Sequence, residues 1–135
     1  DLPIVAERSM YFGSGSHGAT GVTQPGTQWY MAEGYTGGGD DTWILLANPG
    51  SSTTQARVRF LQENGTVTTR DYAIAAHTRL NIFANQIVPN VAFATVVTST
   101  RPKRVRSAPA AISLGTMVCS HESSVAATMT FRGLP

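Results

Sequence analysis

Residues 56–70 read Ala-Arg-Val-Arg-Phe-Leu-Gln-Glu-Asn-Gly-Thr-Val-Thr-Thr-Arg, and this stretch decides the fold class. Apolar and polar residues alternate from Ala56 to Phe60, with the period of two that is typical of a half-buried β-strand. Asn64-Gly65 tolerates the positive φ angles of a tight turn, and the β-branched residues that follow favour a second strand. The sequence therefore predicts an antiparallel β-hairpin here.

The rest of the chain has the same character. Residues 43–47 form a short apolar run that ends in the turn residues Asn48-Pro49-Gly50. Helical periodicity is almost absent, and turn signals recur about every 8–12 residues, which predicts a sandwich or barrel. The predicted strands are 3–12, 28–33, 42–47, 55–62, 66–74, 78–83, 91–99, 103–108, 111–119 and 124–132.

The composition favours a single all-β domain. The 135 residues are enough for one core, and only 13% of them are charged. A net charge of +2 gives no general attraction to nucleic acid. No apolar run approaches the ~18 residues that a membrane crossing needs. We therefore expect no nucleic-acid partner and no membrane insertion.

Charge is distributed unevenly along the chain. Residues 1–71 hold four basic and seven acidic side chains, whereas residues 72–135 hold six basic and one acidic. Ends of opposite sign favour head-to-tail contacts between copies. A solvated basic face is the commoner meaning of such a bias.

The first part of the chain is predicted to stand apart from the domain. Residues 1–12 have a strand pattern, 13–27 are rich in Gly and Ser and read as a linker, and the β-sandwich domain is expected over 28–135. Residues 102–109 loosely repeat the landmarks of Pro3–Phe12, with basic residues in place of the apolar ones. One good and one poor copy of a strand indicate that the good copy is donated to the sheet of a neighbouring copy of the chain. Chance similarity is the alternative.

Three segments resemble a repeat of large secreted or surface-anchored bacterial proteins. Residues 29–36, Trp-Tyr-Met-Ala-Glu-Gly-Tyr-Thr, look like its opening W-Y-x-A-E-G-x-T, and residues 43–49 look like the strand and Asn-Pro turn that follow. Pro3–Tyr11 is similar to P-I-V-A-E-R-x-M-Y, which closes one repeat before the next begins. The resemblance implies an immunoglobulin-like antiparallel β-sandwich, here with an extra N-terminal strand, and an extracellular or cell-surface location.

The resemblance ends after Arg101-Pro102, where the closing strand would recur and the chain instead has Lys103-Arg104-Val105-Arg106. Either the domain closes with a diverged strand of its own, or it accepts residues 3–12 from another copy. Strand addition of the second kind supplies a ladder of backbone hydrogen bonds and pockets for alternate side chains. Copies joined in this way would form a filament or surface array.

The leading hypothesis is thus a non-enzymatic structural subunit whose partners are other copies of itself. The principal alternative is an adhesive or carbohydrate-binding module that binds cell-surface glycans. Trp29, Tyr30, Tyr35 and Trp43 would stack on sugars if they formed an exposed row, whereas burial of the row would favour a scaffold. The side chains expected at the assembly interface are Ile4, Val5, Met10, Tyr11, Phe12, Arg104 and Arg106, with Glu7 and Arg8 as further charged partners.

The sequence contains no recognised catalytic or cofactor-binding pattern. His17, His77 and His121 lack metal-ligand spacing, and no serine lies in a Gly-x-Ser-x-Gly elbow. Asp40-Asp41 in a glycine loop is a weak Ca²⁺ candidate because calcium prefers hard oxygen ligands. Solvated turn residues are the alternative. We therefore predict no catalytic residue and no cofactor.

Overall fold

The computed structural model describes residues 7–12, 15–20, 26–100 and 113–120, with side chains described over residues 26–99. This part of the chain contains nine β-strands and a single-turn 3-10 helix. The strands are β1 (Glu7–Phe12), β2 (Gly15–Thr20), β3 (Gln28–Met31), β4 (Asp40–Asn48), β5 (Thr54–Gln62), β6 (Val67–Ile74), β7 (Thr78–Phe83), β8 (Phe93–Thr100) and β9 (Ser113–Ser120), and the 3-10 helix is Ala84–Gln86. No helix in the described ranges has the length and hydropathy that a membrane crossing requires.

Seven of these strands form two antiparallel sheets. One has the strand order β3-β8-β5-β6 and the other the order β7-β4-β9. The hairpin predicted at Asn64-Gly65 is confirmed: β5 and β6 pair, and Gly65 has a φ of +84° at the turn between them. Gln62 donates its N–H to the carbonyl of Thr66 at 2.9 Å, which sets the register of the two strands.

The two sheets share one hydrophobic core. Buried and exposed residues alternate along β5, so that Val58 and Phe60 face inward while Arg57 and Arg59 are exposed. The rings of Phe60 and Phe93 meet edge to face at 5.5 Å, a geometry that aromatic pairs prefer. This confirms the predicted all-β sandwich. The buried apolar cluster comprises Ile44, Leu46, Ala56, Val58, Phe60, Ile74, Ile82, Ala84, Val88, Val91, Phe93 and Val97.

The central strands pair as those of immunoglobulin sandwiches do. β4 pairs with β7 and β5 with β8, which corresponds to strand B beside E and strand C beside F. The outer strands differ: β3, the first strand of the sandwich, pairs with β8, and β9, the last described strand, pairs with β4. Among the described strands, the edges are therefore β3 and β6 in one sheet, and β7 and β9 in the other.

The first two strands form a separate two-stranded sheet. β1 pairs with β2 over six residue pairs, from Glu7 opposite Thr20 to Phe12 opposite Gly15. β2 falls in the segment that the sequence predicted as a linker, because its Gly and Ser content gave no strand signal. The predicted strands 103–108 and 124–132 lie outside the described residues.

Candidate functional site

One end of the sandwich is built where the segment after β3 crosses the start of β8. Gly34 accepts a hydrogen bond from the N–H of Phe93 at 2.9 Å, and Thr36 donates its N–H to the carbonyl of Val91 at 3.2 Å. The buried hydroxyl of Thr36 bonds to the carbonyls of Val88 and Val91. A side chain at Gly34 would put its Cβ 2.6 Å from the Phe93 ring. Glycine is therefore required for this close approach.

A groove of about 570 Å³ opens at this end. Ala92, Phe93 and Ala94 at the start of β8 lie between two walls, formed by residues 32–35 after β3 and by Leu61 and Glu63 at the end of β5. β8 is the strand between β3 and β5 in the sheet. Side chains that follow β3 and β5 therefore stand on opposite sides of the groove.

The groove is apolar along its length and acidic on both sides. Tyr35 is 43% exposed and Leu61 is 37% exposed, so apolar surface faces solvent. Glu33 lies on the β3 side and Glu63 on the β5 side, and both are exposed. Within the part of the chain described with side chains, neither carboxylate takes part in an ion pair. The arrangement suits a ligand that combines positive charge with apolar surface.

The ion pair found in the described part of the chain lies elsewhere, on the outer face of the same sheet. Arg57 on β5 donates two hydrogen bonds to Asp71 on β6, at 2.7 and 2.8 Å. Hydrogen bonding from Arg57 lowers the pKa of the Asp71 carboxyl. Both side chains are more than half exposed, so the pair is a surface contact rather than part of the groove.

The four aromatic residues predicted as a sugar platform do not form one row. Trp29 is half-buried against the core and donates its indole N–H to the carbonyl of Gly26 at 3.1 Å. Trp43 stacks on Phe83 in the other sheet, with ring centroids 4.6 Å apart. Tyr30 is 71% exposed, and Tyr35 lies in the groove. Two of the four are thus directed to solvent.

The acidic loop predicted as a weak Ca²⁺ candidate is held by an amide side chain. Asn85 donates to the carbonyl of Asp40 at 2.8 Å and to Oδ1 of Asp41 at 3.0 Å. It also accepts the N–H of Thr42 at 3.0 Å. In the described residues no three His, Cys, Asp or Glu side chains converge as metal ligands would. Asp41 therefore has a structural partner that the sequence gave no reason to expect.

The residues predicted at the assembly interface are distributed as follows. Met10, Tyr11 and Phe12 belong to β1, where their backbone partners are His17, Ser16 and Gly15. The other four, Ile4, Val5, Arg104 and Arg106, lie outside the described residues.

The sequence gave no usable signal for the groove. Leu61 follows Phe60 and so occupies an outward position of β5, after Arg57 and Arg59. A single apolar residue at an outward position is common on protein surfaces and does not by itself mark a site. Glu33 and Glu63 are 30 residues apart in the chain, and their place on the two sides of one groove depends on the strand order, which was not predictable.

Comparison with known proteins supports the fold. No family model matches the chain, and no curated protein matches it. Among solved structures, the chain is similar to the Anabaena sensory rhodopsin transducer, with a TM-score of 0.57 and 15% identity over 71% of this chain and 99% of that one. It is also similar to Thermotoga maritima 1070, with a TM-score of 0.54 and 15% identity over 71% of this chain and 92% of that one. At this level of identity the likeness concerns the fold alone.

Proposed function

We propose that this chain is a structural module of an extracellular assembly, in which copies join head to tail by β-strand addition. The observation that carries the proposal is the position of β1. In the described residues it belongs to neither sheet of the sandwich and pairs with β2 alone. A two-stranded hairpin is marginally stable in water by itself. Addition of its outer edge to the sheet of another copy would stabilise both.

The side chains of the first strand fit this role. Residues 4–12 read Ile-Val-Ala-Glu-Arg-Ser-Met-Tyr-Phe, a mixture of large apolar residues and one pair of opposite charges. In strand addition the backbone ladder gives affinity, and pockets for alternate side chains give specificity. Ile4, Val5, Met10, Tyr11 and Phe12 are the side chains expected to fill such pockets. The extracellular location rests on the resemblance to repeats of secreted proteins.

The acceptor is expected to be an edge strand of the sandwich. The edge beside β4 is held by β9 of the same chain over eight residue pairs. Of the edge strands with described side chains, β6 is the longest, with eight residues, and its Val67 is 52% exposed. The hydrogen bond from Gln62 to Thr66 makes these two residues a bonded pair, and bonded pairs recur at every second residue of an antiparallel ladder. Thr68, opposite Phe60, is therefore bonded to β5. The N–H of the next residue, Thr69, points away from β5. It is free to pair with an added strand.

The test compares four proteins by light scattering and negative-stain microscopy: the full chain, a chain that lacks residues 1–25, Thr69→Pro and Thr69→Ala. Proline at this position removes an N–H that makes no bond to β5, whereas alanine keeps it. We expect polymers from the full chain and from Thr69→Ala, and monomers from the other two. Monomers from all four would refute strand addition, and polymers from Thr69→Pro would move the acceptor to another edge.

A carbohydrate-binding module is the second candidate, and one observation favours it. Tyr35 is exposed in the groove with two carboxylates, Glu33 and Glu63, and Tyr30 is exposed on β3. Aromatic rings stack on sugar faces, and carboxylates accept hydrogen bonds from sugar hydroxyls. Binding on a glycan array that Tyr35→Ala abolishes, with an unchanged melting temperature, would support this candidate. The absence of any glycan signal from a folded full chain would remove it.

A further inference from the structure

We infer that the groove between Glu33 and Glu63 binds the basic segment Arg101–Arg106 of a second copy of this chain. The inference rests on the proposed head-to-tail assembly and adds a second contact to it. The segment reads Arg-Pro-Lys-Arg-Val-Arg and contains four of the ten basic residues of the chain. It thus combines positive charge with apolar surface, which is the chemistry that the groove accepts.

Two arginines of this segment match the two carboxylates of the groove in spacing. Glu33 and Glu63 stand on the two sides of β8, and two strand spacings amount to roughly 10 Å. In an extended chain Arg104 and Arg106 are about 7 Å apart, and their long side chains make up the difference. Guanidinium groups bind carboxylates with two parallel hydrogen bonds. Each arginine can therefore reach one carboxylate.

The apolar part of the groove fits an apolar residue on the same face as the two arginines. Leu61 and Tyr35 present exposed apolar surface, and Ala92 and Ala94 leave room between them. In an extended segment Pro102 lies on the same face as Arg104 and Arg106, because side chains alternate between the two faces. Burial of Pro102 against the groove would favour binding through the hydrophobic effect.

The strand order indicates a contact between copies. β8 begins beside the groove at Phe93 and ends at Thr100, where it pairs with Gln55 at the opposite end of β5. Ala94 and Thr100 are therefore about 20 Å apart. The groove lies at one end of β8, and the basic segment begins after its other end. The Cα of Arg106 follows Thr100 by six residues, which span at most about 20 Å even when fully extended. The segment of the same chain could therefore bring its arginines to the groove only by folding straight back at nearly full length, whereas the segment of a second copy approaches without that constraint.

A contact of this kind propagates. A surface at one end that binds a different surface at the other end is heterologous, and it produces open chains of copies unless the rotation closes a ring. The uneven charge of the two halves of the chain has the direction that this contact requires, because Glu33 and Glu63 lie in the acidic half and the basic segment in the basic half.

The test uses charge reversal in the full chain. Variant A carries Glu33→Lys and Glu63→Lys, and variant B carries Arg104→Glu and Arg106→Glu. Each variant has like charges on both contact surfaces, so its self-association at about 50 mM salt should fall at least tenfold below that of the wild type. In an equimolar mixture the reversed groove of A meets the reversed segment of B, and association should return. Sedimentation velocity measures all three samples.

Two controls separate the contact from a general effect of charge. Arg79→Glu with Asn81→Glu makes the chain more negative by three charges, against four for variant B, at exposed positions on β7 away from both the groove and β6, and should associate as the wild type does. Neutral Glu33→Gln with Glu63→Gln should weaken association by about 2- to 30-fold, since two exposed ion pairs are lost. Near 1 M salt the differences should vanish, because the Debye length falls to about 3 Å.

Direct binding is measured with a labelled peptide of residues 99–108 and variant B, whose own segment cannot compete. Saturable binding that is lost when Glu33 and Glu63 are also reversed supports the inference. No binding of the peptide, or a mixture of A and B that stays dissociated, overturns it. Glycan binding at the groove without peptide binding overturns it in favour of the carbohydrate candidate.

The outcomes also separate this contact from strand addition. If deletion of residues 1–25 dissociates the assembly while charge reversal has no effect, strand addition stands and the groove contact falls. If charge reversal acts and the deletion does not, the groove contact stands alone. Monomeric wild type together with an inert peptide refutes both.

Discussion

Replacement of Asn48 by alanine tests how one end of the sandwich is closed. Asn48 is 3% exposed. Its amide group donates to the carbonyls of Ser52 at 2.9 Å, Ile74 at 3.0 Å and Ala75 at 3.1 Å. Its Oδ1 accepts the N–H of Gly50 at 3.0 Å. One side chain therefore joins the end of β4 to the following turn and to the connection between β6 and β7.

The expected loss follows from the burial of these bonds. The bond to the carbonyl of Ile74 is buried, and its removal costs ~1–3 kcal/mol because no water replaces the donor. The other bonds are part-buried, and water limits the cost to ~0.5 kcal/mol for each. We expect Asn48→Ala to lower the free energy of unfolding by about 3 kcal/mol. In a domain of this size the melting temperature falls on the order of 10 °C.

The assay is urea and thermal denaturation followed by circular dichroism. Asn81→Ala, at an exposed position on β7, is the matched control and should stay within ~0.5 kcal/mol of the wild type. Asn48→Asp keeps the shape of the side chain but turns a carboxylate toward carbonyl oxygens. Its loss of unfolding free energy should be larger at pH 7, where the carboxylate is charged, than near pH 4, where it becomes protonated. A deficit for Asn48→Ala no larger than that of the control would refute the reasoning.

Three further substitutions separate other contributions. Gly34→Ala puts a Cβ 2.6 Å from ring carbons of Phe93, and overpacking should lower the unfolding free energy by ~1–3 kcal/mol; an unchanged urea midpoint would contradict the close approach. Gly65→Ala meets open space but has a φ of +84°, so backbone strain alone should cost ~1 kcal/mol, and a stabilised variant would exclude that strain. Asp71→Asn removes the pair with Arg57, which lowers the pKa of Asp71. The wild type should therefore be more stable than the variant by its full margin above the unfolded-state pKa of ~3.9, and this margin should disappear as pH falls through the lower folded-state pKa. A difference in melting temperature between the two proteins that does not change with pH across this range would show that the pair contributes nothing.

Most strands were predictable because their signals are local. The alternation from Ala56 to Phe60 and the Asn64-Gly65 turn define β5, the turn and β6 without reference to the rest of the chain. The prediction for residues 78–83 has the bounds of β7. Side chains two residues apart on a strand face the same side, so the inward set of β5 could also be predicted from its sequence.

Elements without a local signal were missed. β2 contains two Gly, one Ser and no large apolar residue, and its pairing with β1 fixes its extended form. The bonds from Asn85 to the Asp40-Asp41 loop join residues more than 40 positions apart. The stack of Trp43 on Phe83 likewise arises from the pairing of β4 with β7.

The sequence by itself determined most strands of the sandwich, the tight turn at Asn64-Gly65 and the inward face of β5, because propensity, alternation and turn chemistry act over a few neighbouring residues. Only the tertiary structure decided which strands are neighbours, with β3 beside β8 and β9 beside β4. That order brings Glu33 and Glu63 to the two sides of one groove and leaves β1 outside both sheets. Strand order depends on backbone pairing between distant segments, and the same local pattern is compatible with several orders.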